Sequence, residues 1–113
     1  MNCGVLCVRR LAQFLKWDDA LAMEAERRTD ERGLSLFDLA ELLEKQGLET
    51  RIHQGRIRKI TNPGFLLAEG HYLLLMKREG WFYYLYDPNL GDFRLLRPFL
   101  FVTGYQYFLE VVI

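Results

Sequence analysis

The chain predicts an α+β domain in which N-terminal helices pack on an antiparallel β-sheet. Two observations carry this. Apolar residues recur at helical spacing over about 3–47, and short aromatic and β-branched runs separated by Gly, Pro and Asn turns fill about 49–113. A third separates α+β from alternating α/β: the helices come first and the strands then follow one another, so neighbouring strands pair antiparallel. With 113 residues and no repeat or low-complexity segment, 1–113 reads as a single domain.

The first helix is predicted from Cys3 to about Lys16. Val5, Leu6, Val8, Leu11, Ala12, Phe14 and Leu15 form its broad buried stripe, with Arg9, Arg10, Gln13 and Lys16 opposite. Asp18 and Asp19 start a second helix, because acids favour the positive end of the helix dipole, and Thr29 to Gly33 breaks it. Ser35 with Asp38 three residues on is a capping-box pattern for a third helix, which Gly47 ends by supplying a left-handed residue. Glu49–His53 and Ile57–Ile60 are short extended candidates, and Asn62-Pro63-Gly64 is a turn. Strands are then expected at Phe65–Ala68, His71–Met76, Trp81–Tyr86, Phe93–Leu96 and Tyr105–Val112.

Composition narrows the function. Fifteen Lys and Arg balance fifteen Asp and Glu, so no global field favours nucleic acid, and no nucleic-acid partner is expected. The basic residues between Arg51 and Lys59 read as a solvated strand face. No run approaches the ~20 apolar residues needed to span a bilayer, and no basic-then-apolar N-terminal segment is present, so a cytoplasmic, not membrane-spanning chain is expected. The two cysteines, Cys3 and Cys7, are poorly placed for a disulfide on one helix, and with two histidines they lack zinc-site spacing. Neither metal nor cofactor is expected.

The stretch Gly70–Gly91 carries the chemistry. His71 opens one apolar run, Asp87 before Pro88 closes the next, and Gly80 between them suits a three-residue loop, Arg78-Glu79-Gly80. That loop pairs Lys77 with Trp81 and sets His71 opposite Asp87 on one face, whereas a two-residue loop turns Asp87 to the other side. A carboxylate beside an imidazole fixes its tautomer, and an imidazolium or a helix N-terminus promotes a thiolate. Cys3 in the first helical turn would complete a nucleophile, base and orienter if that helix packs with its start at the His71 end.

The order of these pieces resembles a known family. Cys3-Gly4-Val5-Leu6-Cys7, then Leu36 to Gly47-Leu48, Pro63, His71-Tyr72-Leu73-Leu74-Leu75 and Asp87-Pro88-Asn89-Leu90-Gly91 are similar to the C39-type papain-like cysteine peptidases, over nearly the whole chain. The resemblance implies a papain-like fold with Cys3 as nucleophile, His71 as base and Asp87 as its orienter, and places Cys7 in the core. It also implies a peptide or protein substrate, since the best-known members are cytoplasmic domains of bacterial peptide exporters that cut leader peptides after a double glycine. A weaker similarity, through the Cys-x-x-x-Cys start, His71-Tyr72, Trp81-Phe82 and Gly104-Tyr105-Gln106-Tyr107-Phe108, is to Josephin-type deubiquitinases.

Both families carry a glutamine several residues before the cysteine, whose amide completes the oxyanion hole. Here only Met1 and Asn2 precede Cys3, which makes Asn2 the candidate donor; Gln13 lies about 15 Å down the helix by its rise. Three readings stay open: a thiol peptidase; deamidation, acyl transfer or deubiquitination on the same triad; and a catalytically impaired peptide-binding module lacking the glutamine. Trp81 to Tyr86, nearly all aromatic, further suggests an aromatic-rich sheet face for a partner protein or self-association.

Overall fold

A computed structural model describes residues 3–30 and 33–113. Three α-helices, α1 (Cys3–Phe14), α2 (Ala20–Arg28) and α3 (Leu36–Lys45), precede six strands: β1 (Glu49–Gln54), β2 (Gly64–Ala68), β3 (His71–Glu79), β4 (Phe82–Asp87), β5 (Gly91–Leu96) and β6 (Tyr107–Val112). The strands form one sheet in the order β1-β6-β2-β3-β4-β5, every pair antiparallel. This is the α+β arrangement of N-terminal helices on an antiparallel sheet that the helix-then-strand order predicts.

Local chemistry sets the helix ends. Ser35 Oγ accepts from Asp38 N at 3.0 Å while Asp38 Oδ2 accepts from Ser35 N at 3.2 Å, a complete capping box. Gly47, at φ +85°, follows α3 as the left-handed residue. At α2 the acid that acts is Asp18, whose Oδ1 accepts from Ala20 N at 3.0 Å, while the N-cap residue Asp19 makes no side-chain cap bond.

The sheet buries both faces. On one, Val8 and Leu11 of α1 and Leu39, Leu42 and Leu43 of α3 pack with Phe65, Leu74 and Leu109. On the other, Leu66, Leu75, Leu85 and Phe108 are covered by Ile60, Leu100 and Tyr105. The second cover comes from one segment the strand reading misassigns and one it leaves unassigned. Ile57–Ile60 is a non-strand loop, and a 3-10 helix, η1 (Arg97–Thr103), fills the stretch before β6. Pro98 near the start of η1 and Gly104 after it, at φ +70°, frame that turn and delay β6 to Tyr107.

That second layer also overturns the expected aromatic-rich sheet face. Tyr83 is buried under it, Tyr86 packs on the helix side, and Trp81 stands outside β4 in the hairpin loop. Phe82 and Tyr84 lie beneath the cations Arg94, at 4.4 Å, and Lys77, at 4.9 Å. The aromatic run is therefore divided between two cores and individual cation contacts, and among the described residues no aromatic cluster presents itself to a partner.

The central hairpin differs from its predicted register. Gly80 (φ +61°) and Trp81 form a two-residue loop that pairs Glu79 with Phe82; glycine first, with negative φ following, is the type II′ pattern. Left alone, this loop would carry the ladder to Leu74 opposite Asp87, on the helix side. A β-bulge between Leu75 and Lys77 instead gives Leu75↔Leu85 and Leu74↔Tyr86. One step further along, Asp87 faces Leu73 and so shares a face with His71, two residues away on a diagonal rather than directly opposite. The extra residue, Met76, restores the parity that the shorter turn removes.

Candidate active site

His71 is placed by a tight turn. Ala68 pairs with His71 across a two-residue loop, Glu69-Gly70, whose residues both have positive φ, +44° and +77°. That is the type I′ geometry, which fits the right-handed twist of the flanking strands but strains a non-glycine residue at its first position. His71 Nε2 lies 3.0 Å from Asp87 Oδ1, with the carboxylate side chain 14% and the imidazole 32% exposed. The same Oδ1 accepts from Asn89 N at 2.8 Å, and Leu90 N donates to the Asp87 carbonyl at 3.0 Å, so the Asp-Pro turn holds the carboxylate in place. With Nε2 engaged, Nδ1 is the ring nitrogen left for other work.

Cys3 reaches the same strand start from the helix side. Its sulfur accepts a hydrogen bond from Tyr72 N at 3.4 Å, on the residue next to His71. The start of α1 thus sits at the His71 end of β3. Among the described residues the thiol bonds this backbone N–H and makes no hydrogen bond to the imidazole. Asn2, the candidate oxyanion donor, lies outside the described residues.

Tyr72 is the residue that sequence reasoning missed. Besides its N–H to Cys3, its carbonyl accepts from Cys7 Sγ at 3.5 Å and its hydroxyl donates to Leu34 O at 3.0 Å. A Cβ on Gly4 would lie 3.3 Å from the Tyr72 ring, so the glycine after Cys3 is what lets α1 approach β3 this closely. Burial raises the Tyr72 hydroxyl pKa well above the usual tyrosine range, and raises the Cys7 thiol likewise, with Cys3 and Asp87 adding to the latter. Cys7 is therefore a protonated core residue, as its fully buried position requires. The aromatic after the histidine was the available signal, but nothing in the sequence shows that three of its polar atoms are used to join α1, β3 and the 34–35 loop.

Two cavities flank the strand start. One, of about 470 Å³, is lined by Cys3, Leu34, Phe37, Gly70, Tyr72 and Tyr107; the other, of about 510 Å³, by His71, Asp87, Leu73, Phe93 and Val102. No group of three or more His, Cys, Asp or Glu side chains that could hold a metal ion occurs among the described residues.

The description of the peptidase C39 family matches residues 1–105. The chain belongs to the peptidase C39 family. It is thus a cysteine-peptidase domain, and of the two resemblances the C39 one is borne out. Among solved structures, this C39 chain superposes on a double glycine motif protease from an AMS/PCAT transporter, crystallised in complex with the leader peptide. The TM-score is 0.75 at 18% identity over 97% of this chain and 83% of that one. It also matches the peptidase domain of Streptococcus ComA, a bifunctional ABC transporter involved in a quorum-sensing pathway, at TM-score 0.69 and 18% identity, over 96% and 90% of the two chains. At this identity the likeness establishes the papain-like fold. No curated protein sequence matches the chain. No described helix is long and apolar enough to cross a membrane.

Proposed function

We propose that this C39 domain hydrolyses a peptide bond through Cys3, His71 and Asp87. The observation that carries the reading is the meeting of both halves of the site at one strand start: the Cys3 sulfur on Tyr72 N, and the adjacent His71 bonded to Asp87 at 3.0 Å. In the first step the Cys3 thiol gives its proton to His71 Nδ1 and its sulfur bonds the scissile carbonyl carbon. The imidazolium, held by the Asp87 carboxylate, then returns that proton to the departing amine as the C–N bond breaks. A water deprotonated by His71 cleaves the thioester in the second step and regenerates the thiol. This transfer requires the thiol and the imidazole to close on one another as substrate binds, in keeping with catalytic hydrogen bonds that are commonly long before substrate arrives.

The substrate class we infer is a leader peptide. The solved relative holds one, and here the two cavities on either side of Gly70–Tyr72 offer a path for an extended chain crossing the strand start. Incubation with a peptide carrying a double glycine, followed by mass spectrometry, tests both levels. Two fragments from the parent protein, none from Cys3→Ala, and iodoacetamide labelling of Cys3 far faster than buried Cys7 are expected. A gain of about one dalton without cleavage would assign deamidation instead. Equal, slow labelling of both thiols would remove the nucleophile from the scheme.

A further inference from the structure

A third cavity, of about 490 Å³, opens on the sheet face away from α1, between the 55–60 loop, the outer end of β3 and η1. Five basic side chains line it, Arg56, Arg58, Lys59, Arg78 and Arg97, and no acidic one. None of the five forms an ion pair with a described residue, whereas Arg9, Arg10, Arg27, Arg28 and Arg51 each meet a carboxylate. In a chain of zero net charge, five of the seven described Lys and Arg side chains without an ion pair thus gather at one place, Lys16 and Arg94 being the other two.

The wall is built rather than incidental. Ile57 N donates to Tyr105 Oη at 2.9 Å and Ile60 is buried beneath, which turns Arg56, Arg58 and Lys59 outward. Arg56 stacks over Phe101 at 5.2 Å and Arg97 over Trp81 at 5.4 Å, so aromatic rings, not acids, hold these guanidinium groups. Arg97 Nε is buried without a hydrogen-bond acceptor. Like charges gathered around a hollow repel one another, and an anion in the hollow removes that penalty. Tyr83, Leu100 and Tyr105 supply an apolar floor.

We propose that this cavity binds a small phosphate-bearing molecule, with its phosphate oxygens on the arginines and an apolar group on the Tyr83–Leu100 floor. Several cations call for a multivalent anion, and guanidinium forks match phosphate oxygens in pairs. The volume lies within the range of small-molecule sites, about 300–1,000 Å³. The site is separate from the His71–Asp87 cavity: Arg97, Pro98, Leu100 and Phe101 of η1 line the basic hollow, while Val102 and Thr103 line the other.

Isothermal titration of the full chain with sodium tripolyphosphate and with ATP, at a fixed salt of about 0.15 M to suppress loose surface attraction, tests the proposal. Saturable one-to-one binding is expected. The exposed substitutions Arg58→Glu and Arg78→Glu should each weaken it about tenfold or more, while Lys16→Glu, an equal charge change away from the cavity, should leave it within about twofold. ATP binding more tightly than tripolyphosphate supports a ligand whose apolar group uses the floor, and equal affinities overturn the role given to the floor. Absence of saturable binding of both probes at about 1 mM, or equal weakening by Lys16→Glu, overturns the proposal. Melting curves of each variant separate lost binding from lost folding.

Discussion

Replacing Asp87 by alanine removes the partner of His71 Nε2 at 3.0 Å and the acceptor of Asn89 N–H at 2.8 Å. Opposite unit charges at that separation attract by about 5.5 kcal/mol at an effective dielectric of ~20 and by about 1.4 kcal/mol in water. The imidazole is 32% exposed, so the contact lies between those limits, in keeping with the roughly 1.5–3 kcal/mol of hydrogen bonds to charged groups. If that stabilisation is realised on the imidazolium formed in the transition state, Asp87→Ala lowers kcat/KM by about 10- to 150-fold. Asp87→Asn separates charge from geometry. Because Asn89 N–H and His71 Nε2 meet the same oxygen, the amide presents its carbonyl there and keeps both bonds. What remains is a neutral hydrogen bond, and the loss should fall between parent and alanine, about 3- to 30-fold. The assay is cleavage of a quenched fluorogenic peptide, with thermal melts to verify folding. An alanine variant that is folded and cleaves within about threefold of the parent would refute the orienting role and leave Asp87 as a turn former.

Two further predictions concern the scaffold that holds the site. A Cβ at Gly64 would overlap the Leu109 carbonyl oxygen and come to 2.6 Å from Phe108 Cε1. Since backbone in a central ladder has little room to retreat, Gly64→Ala should destabilise the domain by about 1–3 kcal/mol in urea titration, and an unchanged midpoint would contradict the packing argument. The Glu110 carboxyl is held below the ordinary carboxylate range, first by the Asn62 amide at 2.7 Å and then by His53 at 2.8 Å. Its contribution is therefore present above the unfolded-state pKa of about 4.3 and fades as pH falls through the folded value. The melting temperature of the parent should exceed that of Glu110→Gln by several degrees at neutral pH, and the gap should close below about pH 4; a constant gap from neutral to acid pH would exclude the charged interaction.

The capping box at Ser35, the stop at Gly47 and the buried stripe of α1 were legible because they are local: their partners lie within a few residues. Where the deciding contact is distant, the sequence reading needed correction or was incomplete. Ile57–Ile60 has the composition of a strand, but Tyr105, nearly fifty residues on, ties it down as a loop. The basic residues there are exposed, as a solvated face requires, but that they share a cavity with Arg78 and Arg97 was hidden because those two are remote in sequence.

The site divides in the same way. The sequence by itself determined the chemistry offered, a thiol at a helix start with glycine behind it and an imidazole and a carboxylate at strand ends, because residue types and spacing are intrinsic to the chain. It also determined that helices would pack on an antiparallel sheet, since periodicity and element order do not depend on distant partners. Whether His71 and Asp87 share a face was decided only in three dimensions. The loop at Gly80 is one residue shorter than its glycine suggested, and the bulge around Met76 compensates, restoring the side on which the two meet. A ladder repeats every two residues, so each one-residue change inverts it, and only the sum of turn and bulge fixes the outcome. The close approach of Cys3 to Tyr72 likewise depends on Gly4 meeting an aromatic ring 68 positions along the chain, which local pattern alone does not contain.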